Sequence, residues 1–353
     1  MNKIISILKN QKPIPVDRFM SIALYNKKFG YYMKKNPFGK KGDFITSPHV
    51  SNFFGEMIGI WCVAFWEHLG KPKKISIIEM GPGDATLCKN LLDTFKNFNN
   101  FYDCVDIKLL EISNELKKIQ KAKINNKRVK WIKSINALDS QPKIFLCNEF
   151  FDSLPIKQLF IKKNSIYEKY IKVSKSNKVE FIYKKAKNNL LKNIKNLNLI
   201  TQNSIIEYPI NSIKYLTKIS KSINNCGGGL LSFDYGYTDG KSKNTLQSLK
   251  KHKYLNVLSK PGKADITSHI NYKLFKEVLK KNHMDVEKII SQSEFLKKLG
   301  ILERANMLSK KISFKEKIDM FFRLKRLLSH KEMGSLFKVL FAQKKKTKFS
   351  LGF

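Results

Sequence analysis

Apolar strands and amphipathic helices alternate in the middle of the chain. Between residues 73 and 160, short runs rich in β-branched residues are followed by segments with helical periodicity. This alternation indicates an α/β fold in which helices cover both faces of a parallel sheet. The predicted elements are a strand at 75–79, a helix at 85–96, a strand at 106–110, a helix at 114–123 and a strand at 143–148.

The flanking regions have other patterns. Short alternating strands with a Lys/Asn-rich stretch at 184–198 predict an insertion, a hairpin with an exposed loop. The α/β pattern then returns with a helix at 215–223, a turn at 227–229 and a strand at 229–233. The predicted parts are a helical N-terminal segment (1–72), an α/β core (73–160 and 204–290), the inserted β segment (161–203) and an amphipathic helical C-terminal segment (291–353).

Composition limits the class of protein. The 353 residues, 42% of them hydrophobic, are typical of a globular protein with a buried core. No apolar run reaches the roughly 20 residues that span a bilayer, and the best candidate, at 57–66, predicts a buried helix. The five cysteines lack a C-x-x-C pair, which argues against a metal site or disulfide framework. With no signal or transit pattern at the N-terminus, we expect a cytoplasmic protein.

The charge of the chain suggests a nucleic-acid partner, but the residue types do not. The formal net charge is +40, yet only five of the 68 basic residues are arginines. Proteins that bind bases and phosphates usually use arginine for its bidentate geometry. Abundant Lys, Asn and Ile are typical of an AT-rich coding sequence, so we expect no specific nucleic-acid partner.

A glycine turn follows the first predicted strand. Glu79 ends the strand, Gly81 and Gly83 flank a proline, and a helix follows. Such a turn lets the backbone approach a ligand at a helix N-terminus. Carboxylates at Glu79 and Asp84 disfavour a pyrophosphate and favour a cationic ligand such as S-adenosylmethionine, which carries a sulfonium and an ammonium group.

An acidic residue also ends the second predicted strand. Glu111 lies 28 positions beyond Gly83, where a wound α/β sheet places the carboxylate that binds both ribose hydroxyls. The alternative is that Glu111 only begins the helix at 114–123, because acidic residues favour the first turn of a helix.

The loop at 37–48 carries small polar and acidic side chains. Asp43, Thr46 and Ser47 are placed to bind a ligand beneath the loop. The alternative role for Thr46 or Ser47 is to cap the helix that begins near residue 50.

Polar and aromatic residues follow the strand at 143–148. Asn148, Glu149 and Asp152 lie where parallel strands end and ligands bind. The two carboxylates are suited to hold a cationic acceptor and take a proton from it. Alternatively, Asp152 caps a short turn and the two phenylalanines at 150–151 pack inward.

Two further polar segments complete the candidate site. The strand at 230–233 ends at Asp234, and the loop at 261–269 is placed to complete a pocket. The sequence contains no recognisable Ser/His/Asp set, metal-binding His pair or Walker loop.

Several segments of the chain together resemble one family. They include Gly-Asp-Phe-Ile-Thr-Ser-Pro at 42–48, Glu-Met-Gly-Pro-Gly at 79–83 and Asn-Glu-Phe-Phe-Asp at 148–152. Further matching segments are 31–32, 37–39, 54–56, 234–237, 265–269 and 334–338. In this order they resemble the S-adenosylmethionine-dependent methyltransferases that include the mitochondrial complex I assembly methyltransferase and its bacterial relatives, also called MidA. One departure is that Asp84 and Ala85 follow Gly83, where the family usually has Arg-Gly.

The resemblance implies a Rossmann-like class I methyltransferase sheet with S-adenosylmethionine as the cofactor. It further implies N-methylation of an arginine in a protein partner, which in the mitochondrial relative is a core subunit of respiratory complex I. Glu149 and Asp152 would then hold the arginine, and Asn148 would contact either the cofactor or the acceptor. The alternatives are a non-catalytic assembly factor that binds the cofactor and a nucleic-acid methyltransferase. A homodimer and a location in the mitochondrial matrix stay open as well.

Overall fold

The structure is a computed structural model that describes residues 2–34, 37–39, 42–136, 138–163, 165–197, 199, 205–239 and 243–353. The predicted loop at 37–48, the Lys/Asn-rich stretch at 184–198 and the boundary between residues 203 and 204 each include residues outside these ranges.

The N-terminal segment is mainly helical. Its elements are α1 (Lys3–Lys9), β1 (Ile14–Pro15), α2 (Val16–Tyr25), a 3₁₀ turn (Tyr31–Met33), α3 (Ser47–Val50) and α4 (Asn52–His68). The apolar run at 57–66 lies within α4, where Trp61 is fully buried. Its ring packs against Phe65 and Phe341 at centroid distances of 5.2 and 5.0 Å. This apolar stretch is therefore a buried helix, as predicted.

In the central region, the five predicted elements are found to within a residue at each end. The region contains β2 (Ile75–Met80), α5 (Thr86–Phe95), α6 (Asn99–Cys104), β3 (Val105–Leu110), α7 (Asn114–Lys123), β4 (Val129–Ile132) and β5 (Lys143–Asn148). Of these, the structure adds α6 and β4, which were not predicted. Every residue of β2 is buried, because helices cover both faces of the sheet.

The inserted β segment extends past its predicted bounds of 161–203 and contains more regular structure than a hairpin. Its elements are β6 (Lys157–Lys162), β7 (Ser165–Val173), β8 (Val179–Lys185), α8 (Asn188–Asn196) and β9 (Ile205–Tyr208). The strands form an antiparallel sheet in the order β1-β7-β6-β9, with β8 paired to β7. Part of the Lys/Asn-rich stretch forms α8 because Leu190 and Ile194, one helical turn apart, pack into the interior.

The remaining elements complete the main sheet and its helical layers. They are α9 (Ile210–Cys226), β10 (Gly228–Tyr237), β11 (Gln247–Lys250), β12 (Lys253–Leu255), β13 (Asp265–Thr267), β14 (Ile270–Asn271), α10 (Tyr272–Lys281), β15 (Met284–Val286), β16 (Ile290–Ser291), α11 (Gln292–Lys298), α12 (Ile301–Ser309), α13 (Phe314–Leu328), α14 (Met333–Leu336) and β17 (Phe337–Lys344).

The main sheet has the strand order β15-β17-β10-β5-β2-β3-β4. The strands from β10 to β4 are parallel. Ile77 faces an apolar cluster that contains α4 and α5, while Ile78 faces a cluster that contains α9 and α10. The carboxyl ends of β2, β3, β5 and β10 therefore meet at one edge, where open α/β sheets bind ligands.

The prediction that 291–353 is helical is wrong at its end. β17 lies antiparallel to β10, with Gly229 opposite Gln343 and Tyr235 opposite Phe337. A strand buried on both faces is apolar at nearly every position, so its sequence lacks the alternation that distinguishes a strand from a helix.

Within the described residues, no helix combines the length and the apolar composition required to cross a bilayer.

Candidate active site

A cavity of about 730 Å³ lies at the carboxyl edge of the main sheet. Four of the ten predicted site residues do not line it: Asp43, Ser47, Glu79 and Asn148. The six that do are Thr46, Gly81, Gly83, Glu111, Glu149 and Asp152.

The glycine turn forms one wall of the cavity with a backbone that favours glycine. Gly81 and Gly83 have φ angles of 65° and 57°. A Cβ at Gly81 would lie 3.0 Å from the Phe150 ring, and one at Gly83 would lie 3.3 Å from the Phe38 ring. The Gly81 N–H donates to the Leu110 carbonyl at 3.1 Å, which ties the turn to the end of β3. The missing side chains leave room for a ligand to approach the backbone.

Glu111 is held beside this turn by two hydrogen bonds. Its Oε1 accepts from the Ser113 N–H at 2.7 Å, and its Oε2 accepts from Gln120 Nε2 at 3.0 Å. Ser113, rather than Glu111, caps α7, because its hydroxyl accepts from the Leu116 N–H. Each carboxylate oxygen retains a lone pair for a further donor. Burial raises the pKa of Glu111, and the bonds from Ser113 and Gln120 partly offset this rise.

Gln120 connects Glu111 to the glycine turn. The same Nε2 donates to the Gly83 carbonyl at 2.7 Å, and the Gln120 Oε1 accepts from Trp131 Nε1 at 2.8 Å. Gln120 was not among the predicted site residues. Its one signal is its place one turn after Leu116, on the apolar side of α7, where a glutamine must find partners.

Asp84 lies in a network of its own rather than in the cavity wall. It accepts from Lys123 Nζ at 2.6 Å and from the Thr86 hydroxyl at 2.7 Å, and it lies 3.1 Å from His49 Nε2. Burial raises the pKa of Asp84, but the bonds from His49 and Lys123 outweigh it and hold the pKa well below its usual range. The predicted role of Asp84 in attracting a cationic ligand is wrong, because neighbouring cationic and polar groups already satisfy its charge.

The polar residues at and before the start of α3 hydrogen-bond to several different parts of the protein. Thr46 makes no capping bond to α3; its hydroxyl lies 2.7 Å from His49 Nδ1. The Ser47 hydroxyl donates to Gln292 at 3.0 Å, and the Ser47 backbone N–H hydrogen-bonds the Glu149 carboxylate. Asp43 accepts from the Tyr31 hydroxyl at 2.7 Å and is buried. Of these three predicted ligand-binding residues, Thr46 alone reaches the cavity.

The segment after β5 brings two carboxyl groups to the cavity. Glu149 has a φ of 52°, an uncommon conformation for a residue other than glycine, and its N–H donates to the Phe233 carbonyl at 2.9 Å. Asp234 fixes the rest of the turn, since its Oδ2 accepts from the N–H groups of Phe151 and Asp152 at 3.1 and 3.2 Å. Asp234, rather than Asp152, makes these two bonds, while Phe150 and Phe151 pack inward as the alternative for this segment had them.

These carboxyl groups are buried together, which changes their titration. Burial and the charge of Asp152 raise the pKa of Glu149 to about 8. Burial also raises the pKa of Asp152 to about 6, although the hydrogen bond from the Tyr235 hydroxyl opposes this. The Asp152 Oδ1 atom has no partner among the described residues. A buried acceptor with no donor is suited to bind a ligand that brings one.

The opposite wall adds an acid from the loop at 261–269, which was expected to complete the pocket, although this acid was not among the predicted site residues. Asp265 lines the cavity and accepts from the Tyr32 hydroxyl at 2.8 Å, and burial together with the charge of Asp152 raises its pKa to about 8. The rings of Tyr25 and Tyr32 stack beside it at 5.7 Å. Among the described residues, no lysine or arginine lines this cavity, although the chain has a net charge of +40. The site is therefore acidic and aromatic within a basic protein.

Glu79 and Asn148 lie behind the cavity wall. Burial and the charge of Asp84 raise the pKa of Glu79 to about 8, and its Oε2 has no partner among the described residues. Asn148 donates to Glu149 at 3.3 Å, while its own Oδ1 has no partner in the same part of the chain. Both residues therefore border the site without forming its surface.

The groups that line the cavity fit S-adenosylmethionine better than a phosphate-bearing cofactor. The glycine turn leaves space at the backbone, and Glu111 offers acceptors suited to ribose hydroxyls. The acids that line the cavity would disfavour a phosphate, whereas a sulfonium or ammonium group would stabilise their ionised forms.

Comparison with known proteins agrees with this fit. A family model described as S-adenosyl-L-methionine-dependent methyltransferase matches residues 57–290. The chain is 29% identical to the mitochondrial protein arginine methyltransferase NDUFAF7 of Xenopus tropicalis, over 89% of this chain and 78% of that protein. It is 27% identical to the human NDUFAF7 protein, over 94% of this chain and 80% of that protein.

A solved structure shares the fold. A Burkholderia thailandensis protein crystallised with S-adenosyl-homocysteine superposes with a TM-score of 0.83 at 20% identity, covering 99% of this chain and 93% of that chain. The expected Rossmann-like class I methyltransferase fold is confirmed. The chain belongs to the S-adenosyl-L-methionine-dependent methyltransferase family that includes the NDUFAF7 proteins, and its cofactor is S-adenosylmethionine.

Proposed function

We propose that this protein transfers a methyl group to a side-chain nitrogen of arginine in a protein partner. The observation that carries the proposal is the acidic cavity, in which Glu149, Asp152 and Asp265 meet with no lysine or arginine among the described lining residues. A guanidinium group is cationic, planar and rich in donors, so it matches carboxylates between aromatic rings. The names of the NDUFAF7 relatives support the same acceptor.

One end of the cavity is assigned to the cofactor. S-Adenosylmethionine supplies the electrophilic methyl group. Gly81 and Gly83 let it approach the backbone, and Glu111 accepts hydrogen bonds from the ribose hydroxyls. Thr46, across from the turn, offers a hydroxyl whose orientation His49 sets.

The other end is assigned to the arginine. A guanidinium is a poor nucleophile because its lone pairs are delocalised. Glu149 and Asp152 bind the outer nitrogens, hold the positive charge away from the attacking nitrogen and place that nitrogen in line with the methyl group. A nitrogen–carbon bond forms as the sulfur–carbon bond breaks, and the nitrogen releases one proton. Asp152 lines the cavity, its Oδ1 atom has no partner among the described residues, and in this proposal it takes the proton.

The partner follows from the same resemblance, whereas the location is the one expected from the sequence pattern. We propose a subunit of respiratory complex I or a related protein as the substrate, with the bacterial cytoplasm as the location; NDUFAF7 relatives carry the name mitochondrial. A non-catalytic assembly factor is the alternative, since cofactor binding does not require an acceptor.

The test is transfer of a labelled methyl group to recombinant complex I subunits. Wild type should label an arginine, and replacing that arginine with lysine in the substrate should remove the label. Asp152→Asn and Glu149→Gln should each lower turnover by roughly 100-fold while keeping cofactor affinity within about threefold. Glu115→Gln makes the same chemical change on the exposed side of α7 and serves as the control. Wild-type rates in both cavity variants would refute the mechanism, and a wild type that binds the cofactor but labels no subunit would favour the assembly factor.

A further inference from the structure

Helix α13 presents a second apolar face to solvent. Its inner face is formed by the buried residues Met320, Leu324 and Leu327. On the other side, four large apolar side chains are 78%, 57%, 42% and 64% exposed; these are Phe314, Ile318, Phe321 and Phe322, here called the outer face. Their spacing of three, four and eight positions places them on one side of the helix. Exposed apolar groups of this size on one helix mark an interaction surface.

Basic residues surround the outer face. Lys325 lies one turn beyond Phe321 on the same side, and Lys317 lies between Phe314 and Phe321 in the helical net. Lys315 and Arg326 lie beside Phe322. None of these four basic residues has an ion-pair partner within the described part of the chain.

The acidic residues of α13 have partners within the helix. Glu316 forms a capping box with Ser313, and Asp319 pairs with Arg323 at 2.7 Å. They therefore offset little of the positive charge around the outer face.

This combination favours one kind of partner. A second copy of the chain would bring two basic rims together, in a protein whose net charge is already +40. A helix with protruding aromatic residues and flanking lysines is instead the arrangement of interfacial helices, whose apolar side enters the lipid boundary while long basic side chains reach the headgroups. We propose that the outer face of α13 docks this protein on an anionic membrane surface.

Docking would place the cavity close to the bilayer. α13 packs against α14, and Leu336 at the end of α14 lines the cavity. A protein substrate held at the membrane would then meet the cavity at that surface. The inference stands apart from the proposed function, because it concerns binding to lipid and requires no methyl transfer.

Vesicle sedimentation tests the proposal with the full chain. Wild type should sediment with vesicles of phosphatidylcholine and phosphatidylglycerol in equal amounts at physiological salt, and far less with phosphatidylcholine alone. The exposed double variant Phe314→Ser/Phe322→Ser should bind at least about 10-fold more weakly. The affinity of Lys315→Gln/Lys325→Gln for the anionic vesicles should be lower by about 30-fold. The matched controls, Tyr183→Ser and Lys12→Gln/Lys73→Gln, remove similar groups elsewhere and should sediment like wild type.

Three results would overturn the proposal. The first is that the wild-type protein does not sediment with anionic vesicles. The second is equal loss of binding in the two lysine pairs with no effect of the phenylalanine changes, which would mean that net charge alone causes binding. The third is a wild-type dimer in solution that Phe314→Ser/Phe322→Ser dissociates, because a second copy would then cover the outer face.

Discussion

His49 Nε2 lies 3.1 Å from Asp84 Oδ2, so one imidazole joins α3 to the residue that follows the glycine turn. Its other ring nitrogen lies 2.7 Å from the Thr46 hydroxyl at the cavity wall. Asp84 stands where the family usually has arginine after the second glycine. Asp84 thus links two walls of the proposed cofactor site and is not among the residues that line the cavity.

Asp84→Asn is expected to lower the free energy of unfolding by about 2 kcal/mol at neutral pH, since Lys123 and His49 lose a charged partner. The folded state depresses the pKa of Asp84 below its unfolded value of about 4. The ionised group therefore stabilises the protein above that value, and this stabilisation is lost as pH falls below it. Urea unfolding at several pH values should show that the difference in free energy of unfolding between wild type and Asp84→Asn becomes smaller below about pH 4. A constant difference would contradict the assignment.

Glu111→Gln is expected to weaken binding of S-adenosylmethionine by at least about 10-fold, because each lost charged hydrogen bond costs roughly 1.5–3 kcal/mol. Gln120→Ala should weaken it less, since Gln120 positions Glu111 and touches no ligand in the proposed arrangement. Calorimetry measures both, with Glu115→Gln as the exposed control. Equal affinities for wild type and Glu111→Gln would end the ribose assignment.

Gly83→Ala separates backbone strain from crowding at the cofactor site. A left-handed alanine costs about 1–2 kcal/mol of stability wherever it occurs. Gly70 has a φ of 84°, and a Cβ added there would meet no atom within 4 Å, whereas Gly83 has a φ of 57° and faces the Phe38 ring at 3.3 Å. Both alanine variants should lose similar stability in thermal unfolding. Only Gly83→Ala should also lose cofactor affinity, and normal affinity there would show that the turn lies outside the cofactor site.

The stability of Glu149→Gln relative to wild type should change with pH. The pKa of Glu149 is about 8 in the folded protein and about 4 in an unfolded chain. Because the folded state keeps a proton that the unfolded state releases, wild-type stability from this group is present below about pH 4 and is lost as pH rises through 8. Without cofactor or substrate, the free energy of unfolding of Glu149→Gln should therefore rise relative to that of wild type as the pH increases from about 5 to 8. Parallel stability curves would show that Glu149 titrates normally.

The strand ends were predictable from sequence because they depend on local order. A strand, a glycine turn and a helix place Gly81 and Gly83 at the cavity, and the end of the next strand places Glu111 there. The loop at 261–269 was expected to complete the pocket, but the pairing of Asp265 with Tyr32 was not predictable in this way. They meet through a hydrogen bond across 233 positions of sequence, and no periodicity encodes such a contact.

The directions in which the polar side chains point could not be predicted from the sequence either. Asp43, Ser47, Glu79 and Asn148 lie near the edge of the sheet as expected, but hydrogen bonds or burial direct them away from the cavity. Asp234 illustrates the converse, since its carboxylate orders the backbone that carries Asp152. A polar residue at a strand end can bind a ligand or build the loop that does so, and only the tertiary contacts decide between them.

The pairing of β10 with β17 has a consequence for biosynthesis. Residue 229 pairs with residue 343, so one long edge of β10 has no native partner until the last part of the chain has been translated. At about 5–20 residues per second, ribosomes need roughly 5–20 s to make the intervening segment. During that interval a strand of the future core exposes an edge of unpaired backbone N–H and C=O groups that can pair with another nascent chain. The yield of folded enzyme should therefore depend on chaperones that cover the emerging polypeptide, even if the folded protein itself is stable.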